Sequence, residues 1–361
     1  MADRTTRLKT CGLQLASKIP IICRFFPRPP RIITSDSAFE EEGSKYFREK
    51  RFYPVHIGGL LNDRYRVVGK LGFGANSTIW LYKPYVVVKV GRQNSVQGSR
   101  EARIYEYIKS VQSSHPGAGL VRSMLASFEL TLDGSVYYGL VHAPLAMSLR
   151  DLRKGYVDCR VPVEMVRWVV RNVLLALDFL HESGIVHTDL QDGNIMFRLT
   201  SPSPLHAFSK AESLRPSARK HIPDLPYTVY QSRPLAWENH FGVPILSDFG
   251  LARYGEQTFS ADARVQPLQY QAPEVILKLG WDCKIDIWNL GCVVYNLLSG
   301  ELLFRGVDDA LGCWMAARHL REVIEVLGMP PRDLFAGKVM GRAVGFDERG
   351  ALYPPPFLSF L

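Results

Sequence analysis

The stretch 185–197, IVHTDLQDGNIMF, joins two apolar runs through a short polar loop. Inside it Asp189 and Asn194 stand five residues apart, and His187 lies two places before the aspartate. A carboxylate that takes a proton from a hydroxyl and an amide oxygen that holds a divalent cation would use such a pair. Further along, SDFG at 247–250 adds a second acidic centre, Asp248, beside a flexible glycine. Towards the N-terminus, VVVK at 86–89 ends an apolar strand on Lys89. Glu101 follows on a predicted helix as its partner, with Glu106 the runner-up on the same helix. Earlier still, LGFGANSTIW at 71–80 sets Gly72 and Gly74 between two apolar strands, where backbone N–H groups can approach a phosphate chain unhindered. The third glycine of a dinucleotide-binding fingerprint is Ser77 here, and a strand rather than a helix follows, so that fingerprint is not met.

Each of these pieces has an ordinary structural explanation. A glycine turn joins strands in many proteins, and a lysine at a strand edge commonly keeps its head in water. Their order changes the weighing. Glycine-rich loop, lysine, helical glutamate, H-x-D-x-x-x-x-N and D-F-G in succession make chance a poor account.

Composition narrows the classes. Of 361 residues, 47% are hydrophobic and 22% charged, as in an ordinary globular chain long enough for two lobes. Six cysteines without a C-x-x-C pair suggest neither a disulfide framework nor a zinc site, and reduced thiols point to cytoplasm or nucleus. No apolar run approaches a membrane span. The net charge of +9 is concentrated in residues 1–34, which carry +6 and leave about +3 for the rest. That leader, containing RFFPRPPR, reads as a disordered basic arm; a mitochondrial transit peptide is the lesser alternative. No folded basic-and-aromatic platform follows it, so direct nucleic-acid binding is not expected.

The chain divides as 1–50, the basic leader; 51–146, a β-rich lobe; 147–335, a mainly helical lobe; and 336–361, a divergent tail. RYRVVGKLGFG, STIWLYK, YVVVKVG, LVRSMLASFELTL and VYYGLVHAPL read as strands, with Asp133-Gly134 as a hairpin turn. SREARIYEYIKSVQ, EMVRWVVRNVLLALDFLHESG, DIWNLGCVVYNLLSG and LREVIEVLG read as helices. The fold class is therefore α+β and bilobal, with a ligand expected at the seam. Residues 198–243, rich in Ser and Pro with weak periodicity, read as a partly disordered surface insertion.

The ordered motif set resembles the eukaryotic protein kinases. QAPE matches their A-P-E element at Ala272, Pro273 and Glu274, and DIWNLG matches D-x-W-x-x-G at Asp286, Trp288 and Gly291. Within that superfamily HTDL, KLGFGANSTIW and WNLGC look like the serine/arginine-rich-protein kinases, especially fungal ones, in which a long insertion can precede D-F-G. The resemblance implies an ATP- and Mg²⁺-dependent serine/threonine kinase acting on proteins, Ser/Arg-rich ones among them, and a monomer is expected. It implies that the loop Leu71, Gly72, Phe73, Gly74, Ala75, Asn76 and Ser77 covers ATP, and that Lys89, fixed by Glu101, holds the α- and β-phosphates. Asp189 would orient the substrate hydroxyl and take its proton, while Asn194 and Asp248 bind the metal. Adenine would meet the backbone of Ala143 and Leu145, between Ile79, Val87 and Met196. His187 and Phe249 would pack as a structural spine.

Three departures stand out. Thr188 replaces the arginine that reads a phosphate on the activation loop, so activity without phosphorylation of Thr258 or Ser260 is expected. Gln191 replaces the lysine that lends charge to the γ-phosphate, a loss of about 100-fold if uncompensated. The tail offers no convincing helix and no clear partner for Glu274, which leaves an incomplete second lobe as an expectation. These departures keep open a pseudokinase or scaffold that binds nucleotide or partners without efficient transfer.

Overall fold

The structure is a computed structural model, and it describes residues 29–48, 51–223, 227–236, 241–256, 258–260, 265–308 and 311–329. The tail 336–361 and residues 1–28 lie outside the described residues.

A 3₁₀ turn at Glu40–Gly43 and the short helix α1 (Lys45–Arg48) lead into the first lobe. Its strands are β1 (Leu60–Leu61), β2 (Tyr65–Phe73), β3 (Ser77–Lys83), β4 (Val86–Gly91), β5 (Met124–Leu132) and β6 (Ser135–His142). They form one antiparallel sheet in the order β1-β2-β3-β4-β6-β5. Asp133 and Gly134, both at positive φ, close the β5–β6 hairpin, the geometry that a two-residue turn between twisted strands requires. Between β4 and β5 runs α2 (Val96–Ser110), whose cap is Ser95; its Oγ accepts the Gly98 N–H at 3.1 Å. The sheet buries both faces. Trp80, Tyr82, Val88, Val90 and Val141 pack on one side, and Leu81 and Val87 on the other.

The second lobe begins with β7 (Leu145–Ser148), α3 (Leu149–Lys154) and α4 (Val163–Glu182). Buried Val166, Val169, Val173, Leu177 and Leu180 place one stripe of α4 in the core, as helical spacing demands, while Leu174 turns to solvent. Next come β8 (Ile185–Val186), β9 (Ile195–Arg198), α5 (Ser203–Leu214), β10 (Arg219–His221), β11 (Thr228–Tyr230), β12 (Pro244–Leu246) and β13 (Arg253–Tyr254). After these come α6 (Pro273–Ile276), α7 (Lys284–Ser299), β14 (Val307–Asp308), β15 (Cys313–Trp314) and α8 (Ala316–Leu327). Strands β7, β9 and β12 form a small sheet, from which the loop 187–194 emerges just before β9. Helix α7 stops at Gly300, where φ is +81° and an added Cβ would lie 2.0 Å from the Asp158 carbonyl. Only glycine fits there.

Two expectations need correcting. The described part of segment 198–243 is an ordered clamp on the first lobe and not a loose surface insertion. Helix α5 presents Leu205 and Phe208 to the same sheet face as Leu81 and Val87, and Leu235 joins them. The β10–β11 hairpin sends Tyr230 to the opposite face, edge-on to Trp80 with ring centroids 5.7 Å apart. Ser/Pro-rich composition concealed the few apolar side chains that anchor it. Likewise residues 29–48, counted with the leader, belong to the folded structure. Lys70 on β2 is buried, and Glu41, Glu40 and the Tyr230 carbonyl surround its ammonium. A buried cation needs that compensation, so lead-in, sheet and insertion close around one charge.

Candidate active site

The sheet and α2 position the lysine. Lys89 lies on β4, and its Nζ donates to both Glu101 oxygens (3.1 and 2.9 Å) and to Asp248 Oδ1 (2.9 Å). Glu101 is buried on α2, whereas Glu106 on the same helix is exposed, which decides between the two candidates. Burial works against the Lys89 charge, but Asp248 and Glu101 more than reverse it and raise its pKa. Asp248 is only half-buried, and against what burial costs its charge Lys89 and the Gly250 N–H hold its pKa down to about 2. Lys89 and Asp248 therefore both carry charge at neutral pH.

Opposite stands the loop 187–194 that holds Asp189 and Asn194. Asn194 Nδ2 donates to the Asp189 carbonyl (2.8 Å) and carboxylate (2.9 Å), so the amide oxygen is the end left for a cation. Gln191 Nε2 donates to Asp189 Oδ1 at 3.0 Å. Burial raises the Asp189 pKa, with Asp248 adding to it. His187 and Phe249 meet edge-on at 5.1 Å, and Phe249, fully buried, also meets Tyr105 of α2 at 5.3 Å. These rings tie the two lobes together, the packing role expected of them.

Asp286 on α7 anchors this loop from below. Its carboxylate accepts the His187 and Thr188 backbone N–H groups, both at 2.8 Å, and bonds His181 Nε2 at 2.9 Å. Thr188 sits at φ +66°, a strained conformation for a β-branched residue, of order 1–3 kcal/mol. Its hydroxyl donates to the Leu251 carbonyl at 2.9 Å, and its own carbonyl accepts the Gln266 N–H at 2.8 Å. Position 188 thus ties Leu251 and Gln266 to this loop through its own hydroxyl and carbonyl. Thr258→Ala and Ser260→Ala variants should keep turnover within about twofold of the parent, the span of an ordinary surface change; a large loss in either would restore a phosphorylation switch.

Lys89, Glu101, Asp189, Gln191, Asn194 and Asp248 line one cavity of about 410 Å³ together with Gly74, Ala75, Asn76 and Ser77. The rest of the expected nucleotide set is arranged differently. Leu71, Ile79 and Val87 pack into the apolar cluster with Leu199, Leu205, Phe208 and Leu235 instead of lining that cavity. Gly72 faces open space, and Phe73 lies over the Lys70 ammonium, 4.8 Å from its ring centroid. Ala143 is exposed, while Leu145 and Met196 are half-buried on β7 and β9. Arg150, which no sequence motif marked, also lines the cavity. Glu274 forms no ion pair among the described residues, and burial raises its pKa.

A serine/threonine protein kinase of Aspergillus fumigatus is 37% identical over 331 residues, covering 86% of this chain and 79% of its own length. The chain belongs to the protein kinase family. The protein kinase domain family matches residues 235–335 of this kinase. The serine/threonine-protein kinase SRPK of Physarum polycephalum is 29% identical over 349 residues, covering 87% of the kinase and 78% of its own length. Protein kinase dsk1 of Schizosaccharomyces pombe is 26% identical over 413 residues, with 86% and 74% covered. A crystal structure of a kinase domain superposes with a TM-score of 0.63 at 25% identity, over 85% of this kinase and 84% of that chain. The expected bilobal kinase fold and serine/threonine kinase class are thus borne out, as is the likeness to the serine/arginine-rich-protein kinases.

Proposed function

We propose that this kinase transfers the γ-phosphoryl group of ATP, with Mg²⁺, to serine or threonine hydroxyls of proteins. The observation that carries the reading is Lys89, pinned between Glu101 and Asp248, facing Asp189 and Asn194 across one cavity. Oxygen donors on Asp248 and Asn194 suit a hard cation such as Mg²⁺, and an ammonium in the same cavity suits a polyphosphate. When bound, the cation supplies positive charge for the phosphoryl group in flight. The chain's own residues do the rest. Lys89 holds phosphate oxygens in place. Asp189 orients the substrate hydroxyl; as its oxygen bonds the γ-phosphorus and the bond to the ADP oxygen breaks, the hydroxyl proton passes to Asp189. Its raised pKa predicts that activity falls with acid at a higher pH than an unperturbed aspartate would set.

For the substrate class we propose serines beside arginines, which rests on the likeness to the serine/arginine-rich-protein kinases. No helix among the described residues is long and apolar enough to cross a membrane.

The test is transfer from labelled Mg·ATP to Ser–Arg repeat peptides, with basic peptides lacking that pairing as controls. Asp189→Asn should lower turnover by about 10²- to 10⁴-fold, the contribution of a positioned base. Labelling of both peptide classes alike would remove the substrate assignment. Nucleotide binding with no transfer to any protein would leave a scaffold.

A further inference from the structure

Gln191 brings no charge to a place where the resembling kinases carry a lysine, and the structure supplies a cation one hydrogen bond away. We propose that Arg150 is a positioning residue for phosphoryl transfer, acting through Gln191; the inference rests on the function proposed above. The local fold delivers it. Ser148 caps α3, its Oγ accepting the Asp151 N–H at 3.1 Å, which places Arg150 in the first turn beside the catalytic loop. The Arg150 N–H donates to the Asp192 carbonyl at 3.1 Å, and its Nε donates to Asp192 Oδ1 at 2.8 Å. Its Nη2 donates to Gln191 Oε1.

Three features make this a device for the reaction and not merely a surface ion pair. Arg153 takes the other oxygen of Asp192, Nη2 to Oδ2 at 3.1 Å, so two guanidinium groups share one buried carboxylate and one positive charge is left over. That excess lies on the cavity side, because Arg150 lines the space shared with Lys89, Asp189, Asn194 and Asp248. Next, Arg150 occupies the amide oxygen of Gln191, which fixes the amide so that Nε2 faces Asp189 Oδ1 at 3.0 Å. A flipped amide would set its NH₂ against a guanidinium. Finally, Gly193 leaves the space: a Cβ there would lie 3.0 Å from Arg150 Cζ. The chain Arg150–Gln191–Asp189 thus carries positive potential to the base and to the path of the phosphoryl group.

The experiment is a double-mutant cycle on the full chain, read as kcat and KM with Mg·ATP and a Ser–Arg repeat peptide, and as ATP hydrolysis without peptide. Arg150→Met should lower kcat by about 10- to 100-fold, somewhat less than the loss of a direct donor, with both KM values changing by less than about threefold. In the Gln191→Lys background, which should itself turn over faster, Arg150→Met should cost less than about threefold. Arg153→Met is the control: it removes the other partner of Asp192, and with it the surplus charge, but leaves the Arg150–Gln191 bond in place, so it should lower kcat clearly less than Arg150→Met does. Equal losses from Arg150→Met in both backgrounds, or equal losses from Arg150→Met and Arg153→Met, would reduce Arg150 to a structural brace and overturn the inference. So would an active parent indifferent to Arg150→Met. A parent silent in both assays would sink the kinase mechanism itself, and the inference with it.

Discussion

Asp248→Ala should abolish transfer, with turnover falling on the order of 10³-fold or more, because one carboxylate serves two charges. It is the anionic half of the proposed cation site, Asn194 being the neutral half, and its Oδ1 holds Lys89 at 2.9 Å. Removing it leaves Lys89 paired with Glu101 alone, drawn towards α2 and away from the phosphates. Asp248 also sits at φ +70°, a conformation alanine tolerates less well, so local order at the loop falls too. Its side chain is 44% exposed, and the fold should survive the change. The discriminating readout is nucleotide affinity with and without Mg²⁺. The parent should bind ATP more tightly when the metal is present, and Asp248→Ala should lose that difference. A variant that keeps a tenth of the parent turnover would show that the cation is held elsewhere. The acid side follows with its own sign. Because the folded state depresses the Asp248 pKa to about 2, the carboxylate contributes stability above its ordinary range near pH 4 and loses it as pH falls towards 2.

What was legible in the sequence was whatever local chemistry fixes locally. Spacing of five between Asp189 and Asn194 sufficed, because the loop between them closes back through Asn194 Nδ2. Helix α4 and strands β2 to β6 follow from side-chain periodicity, which a single lobe enforces residue by residue. Partners distant along the chain were hidden. Nothing near Arg150 announces that it will meet Gln191 forty-one residues later. Asp286 was visible as a motif, but its hold on the His187 and Thr188 backbone depends on α7 packing beneath the loop. Thr188 showed in sequence what it lacks, a guanidinium; only the fold shows what it does, bonding Leu251. The insertion misled most. Its anchoring side chains are few, spread from Leu199 to Leu235, and their partners lie in the other lobe.

Phe208→Ala should tighten the binding of adenine nucleotides by about tenfold or more while lowering thermal stability. The surface that the resemblance assigns to the adenine ring, Leu71, Ile79 and Val87, is covered by Leu199, Leu205, Phe208 and Leu235. Phe208 is 3% exposed and lies so close to β2 that a Cβ at Gly69 would come within 2.8 Å of its ring. Glu212 secures the end of α5, accepting the Ser217 N–H at 2.7 Å and pairing with Arg233 at 3.0 Å, and the Arg233 N–H bonds the Lys70 carbonyl at 2.9 Å. A nucleotide must displace this packing before its ring can reach Val87. Deleting a buried phenyl ring costs about 3–5 kcal/mol, and here the packing lost is that between α5 and the first-lobe sheet. Each 1.4 kcal/mol taken from the closed arrangement raises the binding-competent fraction about tenfold until that arrangement ceases to dominate. The measurements are the ATP dissociation constant and KM beside the melting temperature. The opposite outcome, weaker ATP binding together with a lower melting temperature, would mean that Phe208 builds a wall of the adenine pocket and does not fill it.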